Sequence, residues 1–159
     1  MSAELSLASG RVGHIGAPDA LRALDVFIGR WITQGATEAA PGEAPLPIVC
    51  SDVYEWAAGG RFVLHTAHGL IGSVPVGAVE MIGYDPASQA YRSQLFDSLG
   101  NVSTHELVLG EDGCVWTGAT TRCTATFSEG GTVQTARHER SEDGVRFEPS
   151  MLVTLRKIE

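Results

Sequence analysis

The chain has no concentration of positive charge. Its eleven Lys and Arg are scattered among nineteen Asp and Glu over 159 residues, for a formal net charge of −8 and a pI near 5.0. Phosphate binding draws its affinity from clustered Lys and Arg, so a nucleic-acid partner is disfavoured. An anionic membrane surface is disfavoured too, because no basic amphipathic helix is visible, and no run of eighteen apolar residues could span a bilayer. Cysteine is scarce. Cys50, Cys114 and Cys123 form an odd set without Cys-x-x-Cys spacing, which supports neither a disulfide framework nor a zinc knuckle and reads as buried free thiols. Also absent are a Gly-x-Ser-x-Gly elbow, a phosphate-binding Gly-x-x-x-x-Gly-Lys run, a His-Glu-x-x-His pair and a Rossmann glycine fingerprint. The pairs at His105-Glu106 and His138-Glu139 place neighbours on opposite strand faces, so neither is a metal site by itself. No metal or cofactor is expected, and a small neutral or cationic ligand is the easier partner for so acidic a chain.

An apolar fraction of 43% and a charged fraction of 19% belong to an ordinary globular domain. A chain of this length buries roughly two thirds of its unfolded surface and can fold as one domain without staples. Residues 1–16 carry Glu4 and no unbroken apolar core, so they read as a flexible leader of a cytoplasmic protein, with a single domain over 17–159. One short helix is expected in "PDALRALDVFIG". Pro18 and Asp19 suit its first turn, Leu21, Leu24 and Ile28 share a face, and Gly29 stops it. After Gly29 the period changes. Segments rich in Val, Thr, Phe, Tyr and Trp alternate with turns such as "AAGG", "DPASQ", "DSLGN", "GEDG", "SEGG" and "SEDG", with "GLIGSVPVG" read as a flexible connection. The pattern predicts strands over 30–38, 48–57, 61–68, 76–84, 90–97, 102–109, 114–127 with a break near Ala119, 132–141 and 145–157. Nine or ten strands in a meander curl until their edges pair, which gives an all-β, closed up-and-down antiparallel barrel with the helix as a plug.

The segment "FIGRWITQG", in which Gly29-x-Trp31 follows a short helix and opens the first strand, resembles the lipocalins and their relatives in the calycin superfamily. The turn Trp56-x-x-Gly59-Gly60, the strand end Gly83-Tyr84-Asp85 and the hairpin Phe96-Asp97-Ser98 are similar to those of a bacterial family of lipocalin-like domains of unknown function. The likeness runs from about Leu21 to Lys157. It implies a barrel with an internal cavity for a small, often hydrophobic, molecule. It also implies that a basic residue of the last strand, Arg156, lies over the Trp31 ring at the barrel floor. It brings no activity, so site residues must come from the strands themselves.

In a barrel alternate residues point inward. On the third strand Phe62, Leu64, Thr66 and His68 are larger and more apolar than Val63, His65 and Ala67, so the first set is expected inside, with His68 at the mouth. On the fourth strand Ala78, Glu80, Ile82 and Tyr84 offer the groups able to titrate or hydrogen-bond. On the next two, Arg92, Gln94 and Phe96 would join Ser103 and His105 on one wall. A slip of one residue would put them all in water. Glu80, flanked by Val79, Met81 and Ile82, is costly to bury unless Arg92 or Arg122 pairs with it.

Three functions follow. The first is binding of a small hydrophobic or aromatic molecule, with Trp56, Phe62, Leu64, Phe96 and Trp116 as walls and Arg92 and Gln94 as polar contacts. The second is a cofactor-independent isomerase, cyclase or hydratase acting on a natural product, with an acid–base pair drawn from His68, Glu80, His105 and Tyr84. The third, implied by the haem-binding nitrobindin branch of the calycins, would use His138 as iron ligand. A homodimer through Tyr91, Leu95 and Val108 is a further expectation. Core roles compete with each of these, since Trp56 and Trp116 can simply pack and strand histidines can sit in solvent.

Overall fold

The computed structural model describes residues 19–159. The leader at 1–16 and Pro18 lie outside the described residues. The expected helix is one α turn, α1 (Asp19–Arg22), followed by a 3-10 turn over Ala23–Val26. Ten strands follow: β1 (Gly29–Thr37), β2 (Pro47–Trp56), β3 (Phe62–Ile71), β4 (Val74–Asp85), β5 (Ala90–Asp97), β6 (Val102–Leu109), β7 (Gly113–Thr117), β8 (Thr121–Ser128), β9 (Val133–Arg140) and β10 (Glu148–Lys157). Each pairs antiparallel with the next, and β10 returns to β1 to close the barrel. Closure leaves no unpaired sheet edge.

Leu21, Leu24 and Phe27 are buried against one end of the barrel. The Phe27 ring lies 5.7 Å from Tyr54, 6.0 Å from Trp116 and 6.1 Å from Phe127, an aromatic cluster that seals this end. Two hydrogen bonds tie the short helix down: Trp56 Nε1 donates to Asp25 Oδ1 (2.9 Å), and the Tyr91 hydroxyl donates to the Ala20 carbonyl (2.6 Å). A plug of two turns is too short to be helical alone, and these contacts with its buried face supply the stability.

Trp31 is fully buried, and its Nε1 donates to the Phe27 carbonyl (2.8 Å). Gly29 has φ +137°, and a Cβ there would lie 2.4 Å from the Glu159 carbonyl oxygen. That position accepts only glycine, which explains the Gly-x-Trp start. The cation over the Trp31 ring is Lys157, with Nζ 4.9 Å from the ring centre. This corrects the expectation of Arg156. Trp31 stands opposite Lys157 in the β1–β10 register, so Arg156 takes the other face, exposed and 3.8 Å from Glu129.

The inner face of β3 carries Val63, His65 and Ala67, and its outer face Phe62, Leu64, Thr66 and His68. The expected parity is therefore inverted on this strand. Phe62 is 50% exposed and lies over Gly83, where a Cβ would come 2.7 Å from its ring. An aromatic ring is thus packed on a strand glycine outside the barrel. β5 is inverted too: Ser93 is buried and Tyr91 and Leu95 half-buried, whereas Arg92, Gln94 and Phe96 are exposed. β4 and β6 keep the expected parity, with Glu80 and Ile82 buried on the first and Leu107 buried and His105 half-buried on the second.

Candidate functional site

Above the aromatic seal the barrel encloses a cavity of about 440 Å³. Ile48, Ile71, Leu95, Met151 and Val153 contribute its apolar wall. A polar belt crosses it on successive strands: Thr33 on β1, Asp52 on β2, His65 on β3, Glu80 on β4, Ser93 on β5 and His105 on β6. Its centre is an ion triad. His65 Nε2 lies 2.8 Å from Asp52 Oδ1, and His65 Nδ1 lies 3.0 Å from Glu80 Oε2. The Thr33 hydroxyl donates to the other Asp52 oxygen at 2.5 Å. Tyr54 stacks on the imidazole, ring centres 3.9 Å apart and 6° from parallel, and Phe27 in turn stacks on Tyr54.

Burial by itself would push the His65 pKa down. The hydrogen bonds and charges of Asp52 and Glu80 overcome it and hold the imidazole at about 9, so His65 is an imidazolium donating from both nitrogens at neutral pH. Burial pushes the Glu80 carboxyl upward, but the His65 bond and charge win and keep it below its ordinary value. Burial, with the charges of Asp52 and Glu80, keeps the Tyr54 hydroxyl protonated. The Ser93 hydroxyl has no partner of ordinary hydrogen-bond geometry, although it stands close enough to help lower Glu80.

On the far wall the groups nearest the belt are neutral. Burial lowers the His138 pKa to about 4, with the Asp52 charge opposing and Arg140 reinforcing the shift. Burial raises the Cys123 thiol to about 12, and its Sγ lies 3.6 Å from His138 Nε2. His105 Nε2 meets the Thr121 hydroxyl at 3.0 Å, while His105 Nδ1 is buried without a partner among the described residues, as is Gln134 Nε2 on β9. Arg122 is engaged by Glu139 through Nε (2.8 Å) and Nη2 (3.1 Å), and lies over the Phe147 ring.

Of the residues singled out from the sequence, the structure brings Glu80, Ser103, His105, Trp116, Arg122 and His138 to the cavity wall, and His68 to its border as an exposed residue. The histidine that meets Glu80 is His65. Tyr84 is half-buried against Tyr91, with ring centres 5.1 Å apart, and Trp56 braces the plug helix, so neither lines the cavity. Phe62, Leu64, Arg92, Gln94 and Phe96 stand on the outer face, where they cannot contact an enclosed ligand. Tyr91 and Leu95, expected on a dimer face, are turned inward, and only Val108 of that set is outside. Neither Arg92 nor Arg122 neutralises Glu80. A signal for His65 was in the hairpin: Gly72-Ser73 joins β3 to β4 with Gly72 at φ +60°, a two-residue turn that sets His65 opposite Glu80.

His138 is half-buried and neutral, but its Nε2 is turned onto Cys123, and the charged group acting on it from within the belt is the Asp52 carboxylate. This arrangement does not fit an iron ligand. Among the described residues no three His, Cys, Asp or Glu side chains form a group that could hold a metal ion, and no helix is long and apolar enough to cross a membrane.

Residues 19–148 match the family described as proteins of unknown function, DUF1579. The chain belongs to this family. No curated protein sequence matches this DUF1579 chain. Its fold is similar to the crystal structure of Rv2717c from M. tuberculosis, with a TM-score of 0.65 at 13% identity over 88% of this chain and 98% of that one. At that identity the likeness establishes the shared barrel, and the polar belt of this DUF1579 protein stands on its own residues.

Proposed function

We propose that this protein binds a small, largely apolar or aromatic molecule inside its barrel, as the calycin-like architecture would allow. The observation that carries the reading is the cavity itself. It falls within the range of natural small-molecule sites and combines an apolar wall with a few converging polar groups.

Native mass spectrometry of protein purified from its own host, together with displacement of an apolar fluorescent probe, tests the reading. The expected result is one retained or displaced molecule per chain. Ala136, buried on the cavity wall, is the site for a blocking change. Ala136→Trp should abolish probe uptake while the far-ultraviolet spectrum of the barrel persists. Probe binding unaffected by this change would place the ligand elsewhere, and a chain that neither retains nor takes up any molecule would end the proposal.

A second reading, acid–base catalysis in the same cavity, is favoured by the Asp52–His65–Glu80 triad, because strongly shifted titratable groups in a cavity are a mark of catalytic sites. His65 spends both nitrogens on carboxylates, so the group left to take a proton from a substrate is Glu80 through Oε1. Turnover of a retained molecule that stops in Glu80→Gln, with its binding intact, would favour this reading over simple sequestration.

A further inference from the structure

The triad leaves a charge unanswered. Asp52 and Glu80 bring two negative charges to the belt and His65 one positive charge, each of its nitrogens committed to one carboxylate oxygen. Thr33 engages the second Asp52 oxygen, whereas Glu80 Oε1 has no partner of ordinary geometry among the described residues, the Ser93 hydroxyl standing close to the carboxyl without completing such a bond. Glu80 is only 7% exposed and lines the cavity, so this oxygen is a buried acceptor available to whatever fills the space.

Among the described residues no further cation pairs with this oxygen: Arg122 is taken by Glu139, and Arg140, which borders the same cavity, is exposed to solvent. His138 is neutral, and Cys123 and Tyr54 keep their protons. His105 acts on Glu80 only through space, its Nε2 being spent on Thr121. A buried carboxylate facing an apolar occupant without a donor is costly, one facing a second anion is costlier, and one accepting a charge-assisted hydrogen bond is stabilised. The chain's net charge of −8 adds a long-range field that draws cations toward the barrel.

We infer that the occupant of the cavity is an amphipathic cation, an apolar body of aromatic size carrying one protonated amine that donates to Glu80 Oε1. The inference rests on the binding reading above and names the ligand class for it. The amine completes the charge balance of the belt, and the Ile48, Ile71, Leu95, Met151 and Val153 wall covers the body.

Three probes of one shape test it: 1-naphthylmethylammonium, 1-naphthylmethanol and 1-naphthoate, titrated calorimetrically into the wild-type chain at pH 7. The ammonium should bind at least tenfold more tightly than the alcohol, and the carboxylate most weakly. In Glu80→Gln the ammonium should lose its advantage while the alcohol still binds, which also reports that the barrel is folded. Equal affinities, or a carboxylate that binds best, would overturn the cationic ligand and leave cavity binding standing. An unchanged tenfold gap in folded Glu80→Gln would overturn Glu80 as the anchor. Failure of all three probes would remove the binding reading together with this one. If Glu80→Gln does not fold, the wild-type series decides alone.

Discussion

His65 and Glu80 face each other across the β3–β4 ladder, imidazole nitrogen to carboxylate oxygen at 3.0 Å, both side chains inside the barrel. Asp52 holds the opposite nitrogen, so the imidazolium is what allows two carboxylates to share one buried wall. Replacing it with a neutral side chain of similar bulk leaves two buried negative charges without their counterion. His65→Leu should therefore destabilise the fold at pH 7 by about 3–5 kcal/mol, the usual cost of breaking a buried ion pair from one side. Urea unfolding measures it. A loss below about 1 kcal/mol would mean that the carboxylates are solvated or protonated in the folded protein, against the triad described here.

The two buried histidines make stability depend on pH in opposite directions. His65 has a folded pKa of about 9 against an ordinary 6.5, so its contribution is fully present below 6.5 and is lost as pH rises through 9. His138 is neutral in the folded protein, with a pKa of about 4, so below 6.5 the unfolded chain binds a proton that the folded chain refuses, and stability falls as pH drops toward 4. Glu80, held below its ordinary value, adds to the loss on the acid side. Thermal unfolding should accordingly peak near pH 6.5 and decline on both flanks, each histidine contributing on the order of 3 kcal/mol. His138→Phe should flatten the acid flank alone. A curve that keeps rising from pH 6.5 to 9 would contradict the charged state of His65.

Trp31 is architecture. It is fully buried, donates to the Phe27 carbonyl and carries Lys157 over its ring at the sealed end. Trp31→Ala should cost about 3–5 kcal/mol of stability and leave probe affinity within a few-fold in the fraction that stays folded. Lys157→Met should cost far less, because a cation on a ring face contributes about 0.5–2 kcal/mol. A stable Trp31→Ala protein that fails only in binding would show that this end takes part in the site.

The strand count, the closure and the plug were legible because they depend on turn chemistry and local period. Gly29 and Trp31 announce β1, and the break near Ala119 between β7 and β8 shows as a gap in the β pattern. Facing was less legible. On β3 the apolar residues Phe62 and Leu64 point out while His65 and Ala67 point in, so the rule that the apolar set is buried selects the wrong face. The rule fails because the interior is a cavity with a polar belt rather than a packed core. Phe62 finds its cover on Gly83 outside. Glu80 was readable as an inward carboxylate, yet its partner depended on the Gly72-Ser73 register, and Asp52 lies on a strand whose pairing only the closed barrel fixes.

Cys123 and His138, 3.6 Å apart inside the cavity, have the spacing of a nucleophilic pair, and their protonation decides against that role. A reactive cysteine needs a thiolate beside an imidazolium or another positive charge. Here burial raises the thiol to about 12, with Cys114 and Glu80 adding to it, and burial lowers the imidazole to about 4, so both are neutral at pH 7. Cys123 should thus behave as a small apolar wall residue. In the native protein at pH 7, iodoacetamide should label it at least 100-fold more slowly than the same thiol in urea, with no inflection in rate between pH 5 and 8. Peptide mapping by mass spectrometry follows each cysteine separately, and Cys114, which burial likewise raises to about 12, serves as the internal comparison. Rapid labelling of Cys123 with an inflection below pH 7 would mean a thiolate–imidazolium pair, and the cavity would then belong to covalent chemistry rather than to reversible binding.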